Sequence, residues 1–271
     1  DEVVGDEAKS VFKDANEMLD SLCANKKLKA RGRVGIFPAN SQGEDVLVFN
    51  PDAHEDVDGT YVQNLTGSHI GVAHHLRQQT HKPKGPNYCL SDFVMPLSQH
   101  RTDYMGAFAV TAGIGEDELA KAYEADGDDY NSIMSKAIAD RLAEAFAEYL
   151  HEQVRKELWG YGKDEQLDNE ALIGEKYQGI RPAPGYSACP EHTEKQLIWD
   201  LLDVEATIGM QLTSSYAMWP GASVSGWYFA HPDARYFAVA KIQQDQLKDY
   251  AMRKDWPISE AEKWLTPNLN N

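Results

Sequence analysis

The sequence predicts an α+β fold: a single domain with a central, mainly antiparallel twisted sheet flanked by helices, one of them long. Three observations lead to this prediction. A periodic apolar stripe from about Tyr130 to Leu158 indicates the long helix. The nearly continuous apolar run from Tyr104 to Val110 is typical of a strand buried on both faces. The runs Arg33 to Phe37 and Val46 to Phe49 flank a turn and predict two paired strands.

The N-terminal half contains further predicted elements. Apolar residues recur at three- and four-residue steps from Ala8 to Leu22 and predict an amphipathic helix. Five cations follow between Lys26 and Arg33, either as a solvated linker or as a docking patch for an acidic partner. A strand is predicted from Tyr61 to Leu65. Three acids beginning at Glu116 favour the start of a short helix, because they complement the helix dipole.

The C-terminal half is predicted to alternate helices with aromatic-rich strands. A helix is expected from His192 to Ile208, closed by Gly209 in a left-handed conformation. The remaining predicted elements are strands at Tyr216 to Trp219, Val224 to Ala230 and Tyr236 to Ile242, then helices at Asp245 to Arg253 and Ser259 to Leu265.

Composition excludes several classes of protein. The chain has 271 residues, 42% of them hydrophobic, which is enough for a real core. Its net charge of −17 argues against nucleic acid or an anionic membrane as a partner, since phosphates would be repelled. The 3 cysteines are far apart, which supports neither a disulfide framework nor a thiolate metal site and suits a reducing cytoplasm.

The start at Asp1, inside an amphipathic pattern, suggests a C-terminal fragment of a longer multidomain chain.

Histidines cluster at His69, His74 and His75, beside Arg77. Their spacing does not match the H-E-x-x-H pattern, in which two histidines one helical turn apart bind zinc. We therefore interpret them as structural histidines and predict no metal site.

The stretch from Gly179 to Pro190 is the most unusual local sequence. Its three prolines fix φ and lack backbone donors, and Gly185 permits a tight turn. Arg181 offers a forked donor suited to a carboxylate, and Tyr186 offers a flat face and a hydroxyl. The segment is therefore either a rigid ligand-binding loop or an ordinary connector.

Two long motifs and several shorter ones distinguish the chain: GIRPAPGYSACPEHTEK, SYAMWPGASVSGWYFAHPDARYFAVAKIQQDQLKDYA, DEVVGDEAKSVFKDANEML, RGRVGIFPAN, HHLRQQT, GAFAVTAG and ADRLAEAFAEYLHEQVRK. In these motifs and their order, the chain resembles the C-terminal activation domain of cobalamin-dependent methionine synthases, over essentially its whole length (1–271).

The resemblance implies an S-adenosylmethionine-binding reactivation domain. In this family the domain positions S-adenosylmethionine for reductive methylation of inactive cob(II)alamin to methylcobalamin. The complete enzyme is a cytoplasmic methyltransferase of methionine biosynthesis, which makes methionine from homocysteine and methyltetrahydrofolate; this chain would be only part of it. Cobalamin would be carried by a neighbouring module of the same polypeptide, and flavodoxin or a similar protein would donate the electron.

The resemblance also implies roles for individual residues, none of them a catalytic acid or base. Arg181 would bind the carboxylate of the ligand, and Asp140 and Glu116 would contact the cobalamin module. Phe237 stands where some relatives have tyrosine, and Ser187 replaces a proline. The full set implied to bind S-adenosylmethionine is Arg181, Ala183, Pro184, Gly185, Tyr186, Tyr236, Phe237 and Glu144.

The sequence leaves one main alternative function and disfavours two others. A module that senses S-adenosylmethionine without catalysis is the main alternative. A self-contained methyltransferase is disfavoured because no strand is followed by a G-x-G turn, and a radical enzyme because the cysteines cannot form a cluster motif. Trp219, Trp227 and Tyr228 either form an adenine-stacking wall or belong to the core.

Overall fold

The computed structural model describes residues 2–51 and 69–269, with side chains from residue 5 onward. The predicted strand from Tyr61 to Leu65 lies outside these residues. The strands are β1 (Lys29–Gln42), β2 (Asp45–Phe49), β3 (His69–His74), β4 (Asp103–Ile114), β5 (Gln211–Leu212), β6 (Met218–Trp219) and β7 (Ser223–Tyr228). The helices are α1 (Glu2–Asn25), α2 (Glu116–Ala125), α3 (Asp129–Gln153), α4 (Asn169–Ile173), α5 (Lys195–Leu202), α6 (Val204–Ile208), α7 (Gln244–Arg253) and α8 (Ile258–Leu265).

The predicted α+β architecture is confirmed. Five strands form an antiparallel sheet in the order β3-β2-β1-β4-β7, and β5 pairs with β6 in a separate two-stranded sheet. The long helix is α3, which has 25 residues and continues as a π-helical turn at Val154–Leu158. Strand β4 is buried along most of its length, as its apolar run predicted. No helix in the described part of the chain combines the length and apolarity that a membrane crossing requires.

The chain forms two compact units. Unit one comprises Asp1–Arg33, Ala109–Leu150 and Ile208–Val224. Unit two comprises Val34–Phe108, His151–Thr207 and Ser225–Asn271.

Unit one is held together by α1 and α3. Met18 and Leu22 of α1 pack with Met134 and Ile138 of α3. A second cluster contains only small side chains, which let backbones approach closely: Ala112, Ala139, Ala143 and Ala222. This packing accounts for the apolar stripes that the sequence shows in both helices.

Unit two contains the β1–β2–β3 meander and the C-terminal helices. Ala39 faces Val48 across the β1–β2 pair, and the register runs to Gln42 opposite Asp45. The sequence placed a turn from Pro38 to Gly43, but the strand continues to Gln42. Pro38 lies just before the first residue pair of the β1–β2 ladder, Ala39 with Val48. Helices α7 and α8 share a core made of Leu76, Val239, Ile242, Leu247, Tyr250, Ala251, Ala261 and Leu265.

Two predicted elements differ from the structure. The expected helix from His192 to Ile208 is broken into a 3₁₀ turn, α5 and α6, because Asp203 adopts a left-handed conformation with φ of 48°. The expected strand from Tyr236 to Ile242 is irregular, since its amide at Val239 bonds a loop carbonyl at Ser187 instead of a neighbouring strand. Gly209, as predicted, has positive φ (79°).

Candidate functional site

The first half of the 179–190 loop lies beside the end of β7. Ile180 and Phe229 exchange two backbone hydrogen bonds of 3.0 Å, and the amide of Trp227 donates to the carbonyl of Pro182 at 2.9 Å. A Cβ added at Gly226 would lie 2.6 Å from that same carbonyl oxygen. Only glycine therefore permits the close approach of the loop to the strand.

The second half of the loop closes on itself. The amide of Tyr186 donates to Ala183 O at 3.1 Å, and the amide of Gly185 donates to Cys189 O at 2.7 Å. Gly185 has φ of +97°, and a Cβ there would lie 2.4 Å from the ring of His192. The backbone conformation of the turn is thus set by its own hydrogen bonds, while the side chain of Tyr186 is 68% exposed.

Arg181 and Tyr236 meet at the mouth of the loop. The backbone amide of Arg181 donates to the Tyr236 hydroxyl at 3.0 Å. Burial raises the pKa of Tyr236 above its usual value, and the nearby Tyr177, which is hydrogen-bonded to it, acts in the same direction. Tyr236 is therefore a neutral phenol at physiological pH.

A buried layer of aromatic rings around one cation, Arg155, adjoins Tyr236 through Tyr177. The guanidinium of Arg155 is 4.3 Å from the centroid of the Tyr177 ring and forms a forked ion pair with Glu165, at 2.8 to 3.0 Å. The ring of His151 stacks on Tyr228 with a centroid distance of 5.1 Å. Burial, followed by the charges of Arg155 and Arg181, holds the pKa of His151 well below its usual value, so this imidazole is neutral.

Sequence reasoning missed this buried layer. Arg155 has no exposed side-chain area, although it follows a helix whose apolar stripe does not include it. The π-helical turn adds a residue to the helical turn and changes which side chains face the core. Tyr177, two residues before the glycine that opens the loop, was the only local signal.

Phe237 belongs to an aromatic cluster. Its ring centroid lies 6.0 Å from that of Tyr88 and 6.5 Å from that of Phe93. Its side chain is half-buried and packs against the α7–α8 core. Its role in ligand binding remains a prediction, as do those of Ala183, Pro184, Gly185 and Tyr186. Trp227 and Tyr228 are fully buried, which favours core over an adenine wall.

The other predicted residues lie in unit one. Asp140 and Glu144 are exposed on α3, and Glu116 is half-buried at the start of α2. Burial raises the pKa of Glu116, and the negative charge of Asp140 raises it further. Glu144 is a solvent-facing acid, and its role in ligand binding remains a prediction.

The histidines and the basic cluster have local environments of their own. His74 Nδ1 lies 2.9 Å from Asp45 Oδ1, and His75 is buried. Among residues 2–51 and 69–269, no group of three or more His, Cys, Asp or Glu is placed to hold a metal ion. Lys27 and Lys29 border a hollow of about 400 Å³ in unit one, together with Glu118, and that hollow contains none of the predicted ligand residues.

Comparisons with known proteins agree with this arrangement. The family model described as "Vitamin B12 dependent methionine synthase, activation domain" matches residues 1–255. A solved structure, "Crystal Structure of the MetH Reactivation Domain bound to AdoHcy", matches with 60% identity and a TM-score of 0.92, covering 100% of this chain and 80% of that one. This chain belongs to the family of vitamin B12-dependent methionine synthase activation domains.

Proposed function

We propose that this chain binds S-adenosylmethionine at the loop from Arg181 to Tyr186 and presents its methyl group to a cobalamin carried by a neighbouring module. The observation that supports this most directly is the contact between Arg181 and Tyr236 at the mouth of a rigid, proline-rich loop. The similar MetH domain was solved with AdoHcy, which is S-adenosylmethionine without its methyl group.

The residues of the loop suit the ligand chemically. The Arg181 guanidinium would bind the carboxylate of the amino-acid tail through a forked pair of hydrogen bonds. Backbone carbonyls near Ala183 would accept hydrogen bonds from the nucleoside. The exposed ring of Tyr186 would face the neighbouring cobalamin module. Pro184, Gly185, Phe237 and Glu144 complete the proposed set.

The proposed methyl transfer requires correct positioning of the reacting groups and no proton transfer. One electron from the donor and one methyl group from the sulfonium convert cob(II)alamin to methylcobalamin and leave S-adenosylhomocysteine. The domain would hold the methyl group in line for transfer, so that a reaction between two molecules becomes effectively unimolecular. No residue of the chain needs to act as general acid or base.

We infer that Glu116 and Asp140 meet the cobalamin module. Burial and the negative charge of Asp140 both raise the pKa of Glu116, so a hydrogen-bond donor from the neighbouring module would stabilise its charged form. The histidine released from cobalt is the proposed donor. In the full enzyme, Asp140→Asn should shift the balance between histidine-on and histidine-off cobalamin, measured by visible absorbance; an unchanged balance would remove this role.

The setting of the domain is also proposed. We suggest that residues 1–271 act as one activation domain, because one family model spans both compact units. Flavodoxin or a similar protein would supply the electron. Cys23, Cys89 and Cys189 are free thiols, which fits the reducing cytoplasm.

The proposed function is tested by mixing the chain with a cobalamin-loaded module, S-adenosylmethionine and a chemical reductant. Formation of methylcobalamin, followed by absorbance, is the expected result, and reactions without S-adenosylmethionine or without the chain are the controls. Ligand binding with no methylcobalamin would instead favour a sensing module.

A further inference from the structure

A buried lysine binds the segment that follows the ligand loop. Lys254, at the C-terminal end of α7, is 10% exposed. Its Nζ donates to Glu191 Oε2 at 2.9 Å, Thr193 Oγ1 at 2.8 Å and Glu194 Oε1 at 2.6 Å. One cation from a distant helix thus binds three residues of a single short turn.

The two carboxylates are almost fully buried, with 2% and 3% exposure for Glu191 and Glu194. Their other oxygens are also bonded: Glu191 Oε1 accepts from the amide of Thr193 at 2.6 Å, and Glu194 Oε2 accepts from the amide of His74 at 2.9 Å. Tyr250 OH donates to Glu191 Oε2 at 3.2 Å. Among the residues that the structure describes, Lys254 is the only cation bonded to these two carboxylates, and without it two buried acids would face each other.

The same turn is connected directly to the ligand loop. Cys189, two residues before Glu191, accepts from the amide of Gly185 and donates to the carbonyl of Tyr186 at 3.0 Å. The ring of His192 lies against Gly185 and is held by Lys195, whose Nζ is 2.9 Å from His192 Nδ1. A displacement of the 189–194 segment therefore changes the position of Gly185 and Tyr186.

We propose that Lys254 is a positioning residue for the ligand loop: by pairing with Glu191 and Glu194 it holds the turn on which Gly185 and Tyr186 rest. It does so without touching the ligand. This inference rests on the proposed binding of S-adenosylmethionine at that loop. Without the ammonium, the two buried carboxylates would be unpaired, and the turn would shift until water reaches them. The ligand loop would be displaced with the turn.

The test compares Lys254→Met with the wild type in two independent measurements. Hydrogen exchange should become faster in peptides covering 183–194 and stay unchanged in β4, an inner strand of the five-stranded sheet. Calorimetric titration should show S-adenosylmethionine binding weakened about tenfold, the scale on which a residue that orients a binding group acts. The matched control is Lys263→Met, which removes an exposed ion pair to Glu260 and should change neither measurement.

A third variant tests whether charge pairing is the cause. Combining Lys254→Met with Glu191→Gln and Glu194→Gln removes the buried charges together and should restore most of the lost exchange protection. The proposal is overturned if Lys254→Met leaves the loop peptides unchanged, if β4 loses protection equally, or if the triple variant recovers nothing. Failure of the wild type to bind would refute the proposed function, while the exchange measurement would still decide the role of Lys254.

Discussion

The hydroxyl of Tyr236 accepts a hydrogen bond from the backbone amide of Arg181, at 3.0 Å. The two residues lie 55 positions apart in the chain and come from an irregular segment and a proline-rich loop. The contact fixes the backbone of Arg181 and thereby the place from which its guanidinium would bind the proposed ligand. It also gives an acceptor to one of the backbone amides of this proline-rich loop.

Tyr236→Phe should weaken S-adenosylmethionine binding by about 1 kcal/mol, because the Arg181 amide loses its acceptor. Calorimetric titration measures the change. Tyr149→Phe, which alters an exposed ring on α3, is the matched control and should bind like the wild type. Equal affinity of Tyr236→Phe and wild type would show that the contact does not shape the site.

Gly185→Ala should lower both stability and ligand affinity. A left-handed conformation costs a residue with a Cβ about 1–3 kcal/mol, and here the new atom would also press on the His192 ring, 2.4 Å away. Gly43→Ala is the control, since Gly43 also has positive φ (+64°) but nothing within 4 Å. Urea denaturation should therefore show a larger loss of unfolding free energy for Gly185→Ala than for Gly43→Ala. Equal losses would mean that the loop and the His192 ring move apart at little cost.

Acid should destabilise the protein partly through His75. Burial lowers the pKa of this imidazole to about 3, and neither ring nitrogen has a hydrogen-bond partner among the described residues. The unfolded chain, with a histidine pKa near 6.5, takes up the proton first. The contribution of His75 to the free energy of unfolding is therefore fully present above about pH 6.5. Between that pH and the folded-state pKa of about 3, it falls by about 1.4 kcal/mol for each pH unit.

The check is urea denaturation of wild type and His75→Leu between pH 7 and pH 5. The variant lacks the titrating group, so its stability should decline less steeply than that of the wild type, while His151 contributes to both. Parallel curves would mean that His75 gains its proton in the folded protein without penalty.

Periodicity predicted those elements whose burial is one-sided or complete. The apolar stripe of α3 and the continuous apolar run of β4 both result from burial in the core. The sequence therefore predicted one as a helix and the other as a strand, as observed. Gly209 was identified as a left-handed cap because few other residues adopt that conformation. The resemblance, in turn, selected Arg181 and Tyr236, which the fold brings into contact.

Features that depend on tertiary contacts were not predictable. The segment from Tyr236 to Ile242 has strand-like composition, but its hydrogen bonds go to a loop. Arg155 is buried through a π-helical turn that leaves no mark in helical periodicity. The ion pairs of Lys254 could not be predicted, because their partners lie about 60 positions away in the chain.

The most direct test of the account is calorimetric titration of S-adenosylmethionine into the wild type and Arg181→Ala, with the exposed Arg101→Ala as control. We predict that the wild type and the control bind alike and that Arg181→Ala loses about 1.5–3 kcal/mol, the scale of a hydrogen bond to a charged group. Unchanged affinity in Arg181→Ala, or no binding by the wild type, would contradict the central claim that this loop holds the ligand.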